Sequence, residues 1–251
     1  MVIGIICQAR SKSSRFPRKI WEPISGKVTL QRVLDGVAES KIAQKIVLAM
    51  PEYDKVEVLS AIGDETIFLP DERFEVFFGA EDDVLKRYYD TALQAKMDII
   101  VRVTCDCPLI NGKLIDHMLI EYTSEDYNGF MGCNGLVSPV PYPSGVDCDI
   151  FKWNMLAETH MKAKGKSCRE HVTPYMYRSG SQYKIHPFLN KTPNPIISNA
   201  IKDISFDTEE DLRMLDRIAG RFDELVASGL DTISSLDVAI KEFDDENSGI
   251  L

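Results

Sequence analysis

The sequence predicts an α/β domain built on a mainly parallel sheet with helices on both faces. Two features carry this expectation. Short continuous apolar runs, of the kind seen in strands covered on both sides, recur along the first half of the chain. Stretches of helical periodicity separate them by about 10–15 residues, the length of a crossover connection, and crossovers join parallel strands. A chain of 251 residues, 44% hydrophobic and 27% charged, fits a globular protein with ample material for a core.

The first run, Val2–Cys7, is followed by a polar, basic stretch from Arg10 to Lys19. Leu30, Val33, Leu34 and Val37 then recur at helical spacing. Ile46–Met50 reads as a second buried strand, stopped by Pro51. Asp54 and Glu57 have the spacing of a capping box, opening a helix with Val58, Leu59 and Ile62 on one face. A third strand is expected over Phe74–Phe78, and Val84, Leu85, Tyr88 and Ala92 mark the next helix. Ile99–Thr104 is the fourth strand, and Leu114, Ile115, Met118 and Leu119 the helix after it.

After Tyr122 the rhythm breaks. Residues 127–148 hold several glycines and prolines, so a long loop or a short hairpin is expected there. A helix is expected from Phe151 to Ala163, another helical stretch over Arg169–Tyr177, and a strand at Tyr183–His186. Lys191–Pro195 reads as a loop and Ile201–Phe206 as β. Thr208 with Asp211 opens a final helix carrying Leu212, Leu215 and Ile218, and the acidic tail Asp244–Leu251 is expected to fray. Residues 1–251 thus read as one domain, with an insertion at 127–198 placed to form a lid or a dimer contact.

Charge and composition exclude several classes. The formal charge is −10, from 29 Lys and Arg against 39 Asp and Glu, which argues against broad electrostatic binding to nucleic acid. No apolar run reaches the roughly 18 residues of a membrane span. The first run lacks a basic leader and a small-residue cleavage site, so no secretory signal is expected and a cytoplasmic location is. Six cysteines without a C-x-x-C pair and four histidines without H-E-x-x-H exclude the common zinc patterns. Cys105 and Cys107 are read as reduced thiols at a strand end.

Three segments hold residues suited to chemistry. Arg10, Lys12, Arg15, Arg18 and Lys19 put five cations and no carboxylate directly after the first strand. Ligands of open α/β sheets bind beyond the carboxyl ends of strands, and arginine forks with a lysine point charge suit a polyphosphate. A solvated basic loop is the bland alternative, and a Walker phosphate loop is excluded because its glycine pattern is missing. Asp106 and Asp207 each end a β run, so both can project from one sheet edge and offer carboxylate oxygens to Mg²⁺. A turn-forming Asp106 and a helix-capping Asp207 are the other reading. The third segment pairs Asp147-Cys148-Asp149, a D-x-D triplet, with Arg169-Glu170-His171. The latter three suit a substrate carboxylate and hydroxyls, or equally a surface ion-pair cluster, and His171 has the pKa range of a general base.

Six stations in order resemble one family. Ala9-Arg10-x-x-Ser13-Ser14-Arg15-Phe16-Pro17-x-Lys19 is similar to the N-terminal signature of sugar-acid cytidylyltransferases, the CMP-Kdo and CMP-sialic acid synthetase superfamily. Five more look closest to its branch named for the spore coat polysaccharide biosynthesis protein SpsF. They are Phe78-Gly79 through Asp83-Val84-Leu85-x-Arg87-Tyr88, Val101-Arg102-Val103-Thr104-x-Asp106-x-Pro108, Tyr142-Pro143-x-Gly145-x-Asp147, Arg169 through Pro174, and Asp207-Thr208-x-x-Asp211-Leu212.

The resemblance implies a Rossmann-like nucleotidyltransferase that joins CTP to a sugar or sugar acid, releases pyrophosphate and leaves a CMP-activated sugar for surface polysaccharide or glycoconjugate synthesis. It implies Ala9 and Arg10 beside the nucleotide, Ser13, Arg15 and Lys19 at its phosphates, and Gly79 where backbone approaches base or ribose. It implies Asp106 and Asp207 as Mg²⁺ ligands, Asp147, Arg169, Glu170 and His171 toward the acceptor, and a homodimer formed through the insertion. Two positions depart from the pattern: Arg18 stands where the family usually has glycine, and Cys107 where it has Asn, Glu or Gln. A nucleotide-sugar-dependent glycosyltransferase using the D-x-D triplet is the alternative, separated by whether pyrophosphate is released from CTP.

Overall fold

The computed structural model describes residues 1–124, 129–132, 142–146, 148–178, 181–188, 201 and 203–248. Strand β1 (Ile3–Gln8) leads into the basic loop, a single 3-10 turn at Lys19–Trp21, a two-residue hairpin of β2 (Pro23–Ile24) and β3 (Lys27–Val28), and helix α1 (Thr29–Ala38). There follow β4 (Lys45–Pro51), α2 (Lys55–Gly63), β5 (Phe74–Gly79), α3 (Val84–Gln94), β6 (Ile99–Thr104) and α4 (Gly112–Ser124). The second part holds β7 (Gly129–Gly132), β8 (Asp149–Lys152), α5 (Trp153–Lys162), α6 (Lys166–His171), α7 (Pro174–Tyr177), β9 (Lys184–Pro187), α8 (Glu209–Ala227) and α9 (Thr232–Ser248).

Seven strands form one sheet in the order β5-β4-β1-β6-β8-β7-β9. The first four are mutually parallel, β8 is antiparallel to both its neighbours, and β9 is parallel to β7. β1 is central, with Ile5 paired to Ile46 on one side and Val101 on the other. The expected mainly parallel sheet is therefore present, and its apolar runs are the innermost strands.

Period-2 alternation divides each inner strand between two cores. Ile3, Ile5 and Cys7 of β1, with Ile46, Leu48 and Met50 of β4, pack under α1, α2, α4, α8 and α9. Ile6, Val47 and Ala49 pack on the opposite face beneath α3 and α5. Helices cover both faces because the strands are apolar on both.

Several boundaries differ from the sequence expectation, each for a physical reason. Asp54 precedes α2 but makes no side-chain cap; its carboxylate accepts from Ser11 instead, and Leu59 faces solvent while Val58 and Ala61 pack inward. Phe151 and Lys152 belong to β8, so the following helix begins only at Trp153. The stretch 169–177 is two short helices, broken where Val172 adopts φ 68°. Residues 201 and 203–206 are not a sheet strand; a single bridge joins Asp203 to Ser144. α8 is not the last helix, because α9 continues to Ser248 through the region expected to fray. The described part of the 127–198 stretch extends the central sheet by β7, β8 and β9 and lays α5 to α7 on one face.

Candidate active site

The basic loop leaves β1 at the carboxyl edge of the sheet and folds back on itself. Arg18 N–H donates to the Ser11 carbonyl at 2.8 Å, and Ser11, through both its backbone N–H (3.0 Å) and its hydroxyl, donates to the buried Asp54 in the short turn between β4 and α2. Arg18 itself sits at φ 63°, ψ 16°, in the left-handed region that glycine enters freely. This explains why a glycine is natural here. The Arg18 side chain pairs with Glu57 of α2 at 2.6 Å, so its charge is held by that helix.

The loop, the β6 turn and the segment before α8 meet at Lys19. This lysine is buried, and its Nζ donates to Asp106 Oδ2 at 3.1 Å, Asp207 Oδ1 at 2.9 Å and the Phe206 carbonyl at 2.7 Å. An ammonium has three N–H donors, and all three are committed. Two carboxylates about a hundred positions apart thus converge on one cation. Asp106 follows β6 as expected, but Asp207 does not end a strand, because 203–206 is held by the single Asp203 bridge and the Phe206 N–H rather than by a ladder. The backbone brings them together: Phe206 N–H donates to the Asp106 carbonyl at 2.7 Å, and the Phe206 ring lies against Phe16 of the basic loop with centroids 5.0 Å apart. Gly145 seals the same junction. A Cβ there would lie 2.6 Å from the Ile204 carbonyl carbon, so only glycine permits this approach. Arg15 pairs with the other oxygen of Asp207 at 2.7 Å.

These groups open on a cleft of about 300 Å³, lined by Gln8, Ala9, Arg10, Ser13, Ser14, Arg15, Lys19, Arg102, Thr104, Asp106, Glu170, His171 and Asp207 among others. Burial by itself would raise the Asp106 carboxyl, yet the Lys19 charge and hydrogen bonds from Thr104 and Lys19 outweigh it and hold it below the usual carboxylate range. Asp106 and Asp207 keep 30% and 20% side-chain exposure, so an ion approaching from the cleft can reach them. Their donor set, oxygen only and already converging on one positive charge, suits a hard divalent cation that takes one or two carboxylates and completes its shell with phosphates and water. No cluster of three or more His, Cys, Asp or Glu is present among the described residues.

The remaining expected residues divide. Ala9, Arg10, Ser13, Glu170 and His171 line the cleft, with Arg10 and Glu170 3.9 Å apart. Arg169 lies outside its lining; it grips Asp83, the N-cap of α3, and its Nη1 donates to the His160 carbonyl at 2.8 Å. Gly79 is also outside the lining: a Cβ would meet Phe77 Cε1 at 2.7 Å, so its missing side chain accommodates the protein's own ring. Asp147 lies outside the described residues. Asp149, the other end of the triplet, is buried and accepts from Arg102 at 3.3 Å and Thr173 at 3.1 Å.

Sequence reasoning missed Asp54, Asp83 and Arg102 as parts of this neighbourhood. Asp54 closely follows the end of a buried strand, the same signal that singled out Asp106, but its spacing to Glu57 matched a helix cap and drew the reading there.

The cytidylyltransferase family profile matches residues 4–237. The spore coat polysaccharide biosynthesis protein SpsF of Bacillus subtilis is 26% identical over 92% of this chain and 93% of its own. A 3-deoxy-manno-octulosonate cytidylyltransferase of Geobacter metallireducens is 24% identical over 96% of this chain and 98% of its own. Among solved structures, a cytidylyltransferase from Leptospira borgpetersenii superposes with a TM-score of 0.77 at 27% identity, covering 96% of this chain and 95% of that one.

Proposed function

This chain belongs to the cytidylyltransferase family, and we propose that it transfers the cytidylyl group of CTP to a hydroxyl of a sugar or sugar acid. The acceptor oxygen forms a bond to the α-phosphorus, the bond from that phosphorus to the β-phosphate bridging oxygen breaks, and pyrophosphate leaves. The hydroxyl proton passes to solvent or to a base in the cleft, and the product is a CMP-activated sugar for surface polysaccharide or glycoconjugate synthesis. The observation that carries this reading is the convergence of Asp106 and Asp207 on Lys19, at the base of a cationic loop on the carboxyl edge of the sheet.

In this reading Arg10, Ser13 and Arg15 bind the triphosphate, and Ala9 packs beside the nucleoside. Asp106 and Asp207 would hold Mg²⁺, which supplies Lewis acidity at phosphate and hydroxyl oxygens when bound. Arg15 and Lys19 both pair with Asp207, Arg15 from the exposed rim and Lys19 from the buried floor, so an anion entering the cleft meets cations already oriented. Lys19 balances the two carboxylates until phosphate oxygens arrive, and then stands ready to neutralise charge on the leaving pyrophosphate. Glu170 and His171 border the cleft on the α6 side and are assigned to the acceptor. Arg169 serves it indirectly, by holding α6 against Asp83 at the head of α3. A cytoplasmic homodimer built through the 127–198 stretch completes the proposal; no described helix is long and apolar enough to cross a membrane.

Pyrophosphate release tests the reaction. The four nucleoside triphosphates are each offered with a panel of sugar acids and Mg²⁺. The account expects release only with CTP, and only when an acceptor and the metal are both present. Release of a nucleoside mono- or diphosphate from a preformed nucleotide sugar, with none of pyrophosphate from CTP, overturns it in favour of glycosyl transfer.

A further inference from the structure

The residues assigned to the acceptor leave an acidic sugar without a permanent positive charge to meet. Glu170 is itself an anion, and Arg169, the one arginine among them, lies outside the cleft with its guanidinium on Asp83. Two carboxylates brought together repel, so a sugar acid needs a cation from elsewhere in the lining. Arg10, Arg15 and Lys19 are assigned to the triphosphate and its leaving group. Arg102 is the remaining arginine or lysine that lines the cleft among the described residues.

Strand β6 places this arginine on the face of the sheet that carries α6. Side chains alternate along a strand, so Arg102 projects with Ile100, toward the core beneath α3 and α5. Its partners in register, Ile6 of β1 and Asp149 of β8, stand on either side of it, and Ile6 belongs to the same core. Cys168 and Val172, which flank Glu170 and His171, pack there as well. Ile20 and Phe206, the chain neighbours of Lys19 and Asp207, belong to the opposite core. The Arg102 side chain is not sealed in: it keeps 20% exposure and fronts the cleft with Gln8, Thr104, Glu170 and His171.

The arginine is held from behind. The buried Asp149 accepts from Arg102 Nη1 at 3.3 Å and from the Thr173 hydroxyl at 3.1 Å through the same oxygen. Thr173 in turn closes a strained turn: its N–H donates to the His171 carbonyl at 2.8 Å, with Val172 between them at φ 68°, ψ −59°. This is a γ-turn of the rare hand, costly for a β-branched residue. Strain of that kind persists where surrounding bonds over-determine it, and it clusters at ligand sites. Asp149 thus ties the guanidinium to the turn that follows Glu170 and His171. Guanidinium N–H groups share one rigid plane, so a fork fixed at one corner by a buried carboxylate meets a ligand carboxylate in a set orientation. We infer that Arg102 selects an acidic acceptor by pairing with its carboxylate, while Asp149 positions the guanidinium and Glu170 and His171 face the sugar hydroxyls. This rests on the cytidylyltransfer reading and deepens it.

Pyrophosphate release from CTP in Mg²⁺ tests the inference, with each sugar acid offered beside its carboxamide and beside neutral sugars. The KM values for acceptor and for CTP are measured in wild type, Arg102→Lys and Arg102→Gln. Wild type should use a sugar acid and lose about 10- to 100-fold in kcat/KM with the matching carboxamide, as for one charge-assisted contact. Arg102→Gln should raise the KM for the acid by a similar factor and treat acid and carboxamide alike. Arg102→Lys should raise it less, and both variants should keep the KM for CTP within about twofold of wild type. An unchanged acceptor KM in folded Arg102→Gln overturns the inference. So does an acid-to-carboxamide preference that survives in that variant, the mark of an arginine that only supports the fold. A rise in the KM for CTP alone overturns it too, giving the arginine to the nucleotide. Should Arg102→Gln fail to fold, wild type and Arg102→Lys decide, and equal use of acid and carboxamide by wild type sinks the idea. Turnover of neutral sugars and of no acid removes this inference alone; no pyrophosphate from CTP with any acceptor removes the cytidylyltransfer reading with it.

Discussion

Lys19 commits every donor it has, and the arithmetic of its three bonds determines what its neighbours can lose. In Asp106→Asn the ammonium keeps Asp207 and the Phe206 carbonyl, so the fold should survive. Turnover should fall by about 10²–10³ or more, the usual cost of removing one preorganised electrostatic stabiliser. Steady-state kinetics alongside circular dichroism check both halves. The same carboxyl predicts a pH dependence. Its folded pKa lies below the ordinary aspartate value, so the stabilisation it gives is fully present above about pH 4 and lost as pH falls through the folded value. Urea unfolding at about pH 7 and about pH 3 should therefore show wild type more stable than Asp106→Asn at the first, with the difference shrinking at the second. Position 18 gives the opposite kind of result. Arg18→Gly relieves a left-handed backbone but loosens the unfolded chain and gives up a half-exposed ion pair with Glu57. Those effects nearly cancel, so unfolding free energy should move by less than about 1 kcal/mol with CTP affinity unchanged.

Asp54 belongs to the scale of elements, because it ties the loop after β1 to the turn that joins β4 to α2. It is buried with both oxygens bonded to Ser11, and it caps nothing in α2. Asp54→Ala should weaken CTP binding by loosening the phosphate loop and should cost about 2–3 kcal/mol of stability, as expected for buried hydrogen bonds to a charged acceptor. Thermal denaturation and CTP titration together check this; a lower melting temperature with unaltered CTP affinity would make Asp54 a core residue only. Helix α8 offers a control. Its capping box is complete, with Thr208 and Asp211 bonded reciprocally, so Thr208→Ala should cost about 1 kcal/mol while acting one residue from the Asp207 carboxylate.

For the whole molecule, the legible part was what local pattern decides. Val2–Cys7, Ile46–Met50 and Ile99–Thr104 are apolar on both faces, which only a central strand tolerates, and they occupy the middle of the sheet. That Asp106 would lie beside the basic loop was legible from a buried strand plus charge, whereas the non-strand segment that carries Asp207, and the shared bond of both carboxylates to Lys19, were not. Long-range partners were not legible. Nothing local says that Asp54 will bind Ser11, or that Arg169 will reach Asp83, since each contact crosses the fold. Helix α9 was missed although Ile233, Leu236, Ala239 and Ile240 form a buried stripe at helical spacing; only its last turn falls in the acidic tail expected to fray. At this scale the account stands on one shared centre for Asp106 and Asp207. Manganese binding in the presence of CTP, followed by electron paramagnetic resonance, tests it most directly. Wild type should bind the ion with CTP, Asp106→Asn and Asp207→Asn should each weaken it at least about 10-fold, and the double variant should fall short of their combined effect. Undiminished manganese affinity in both single variants would contradict the account.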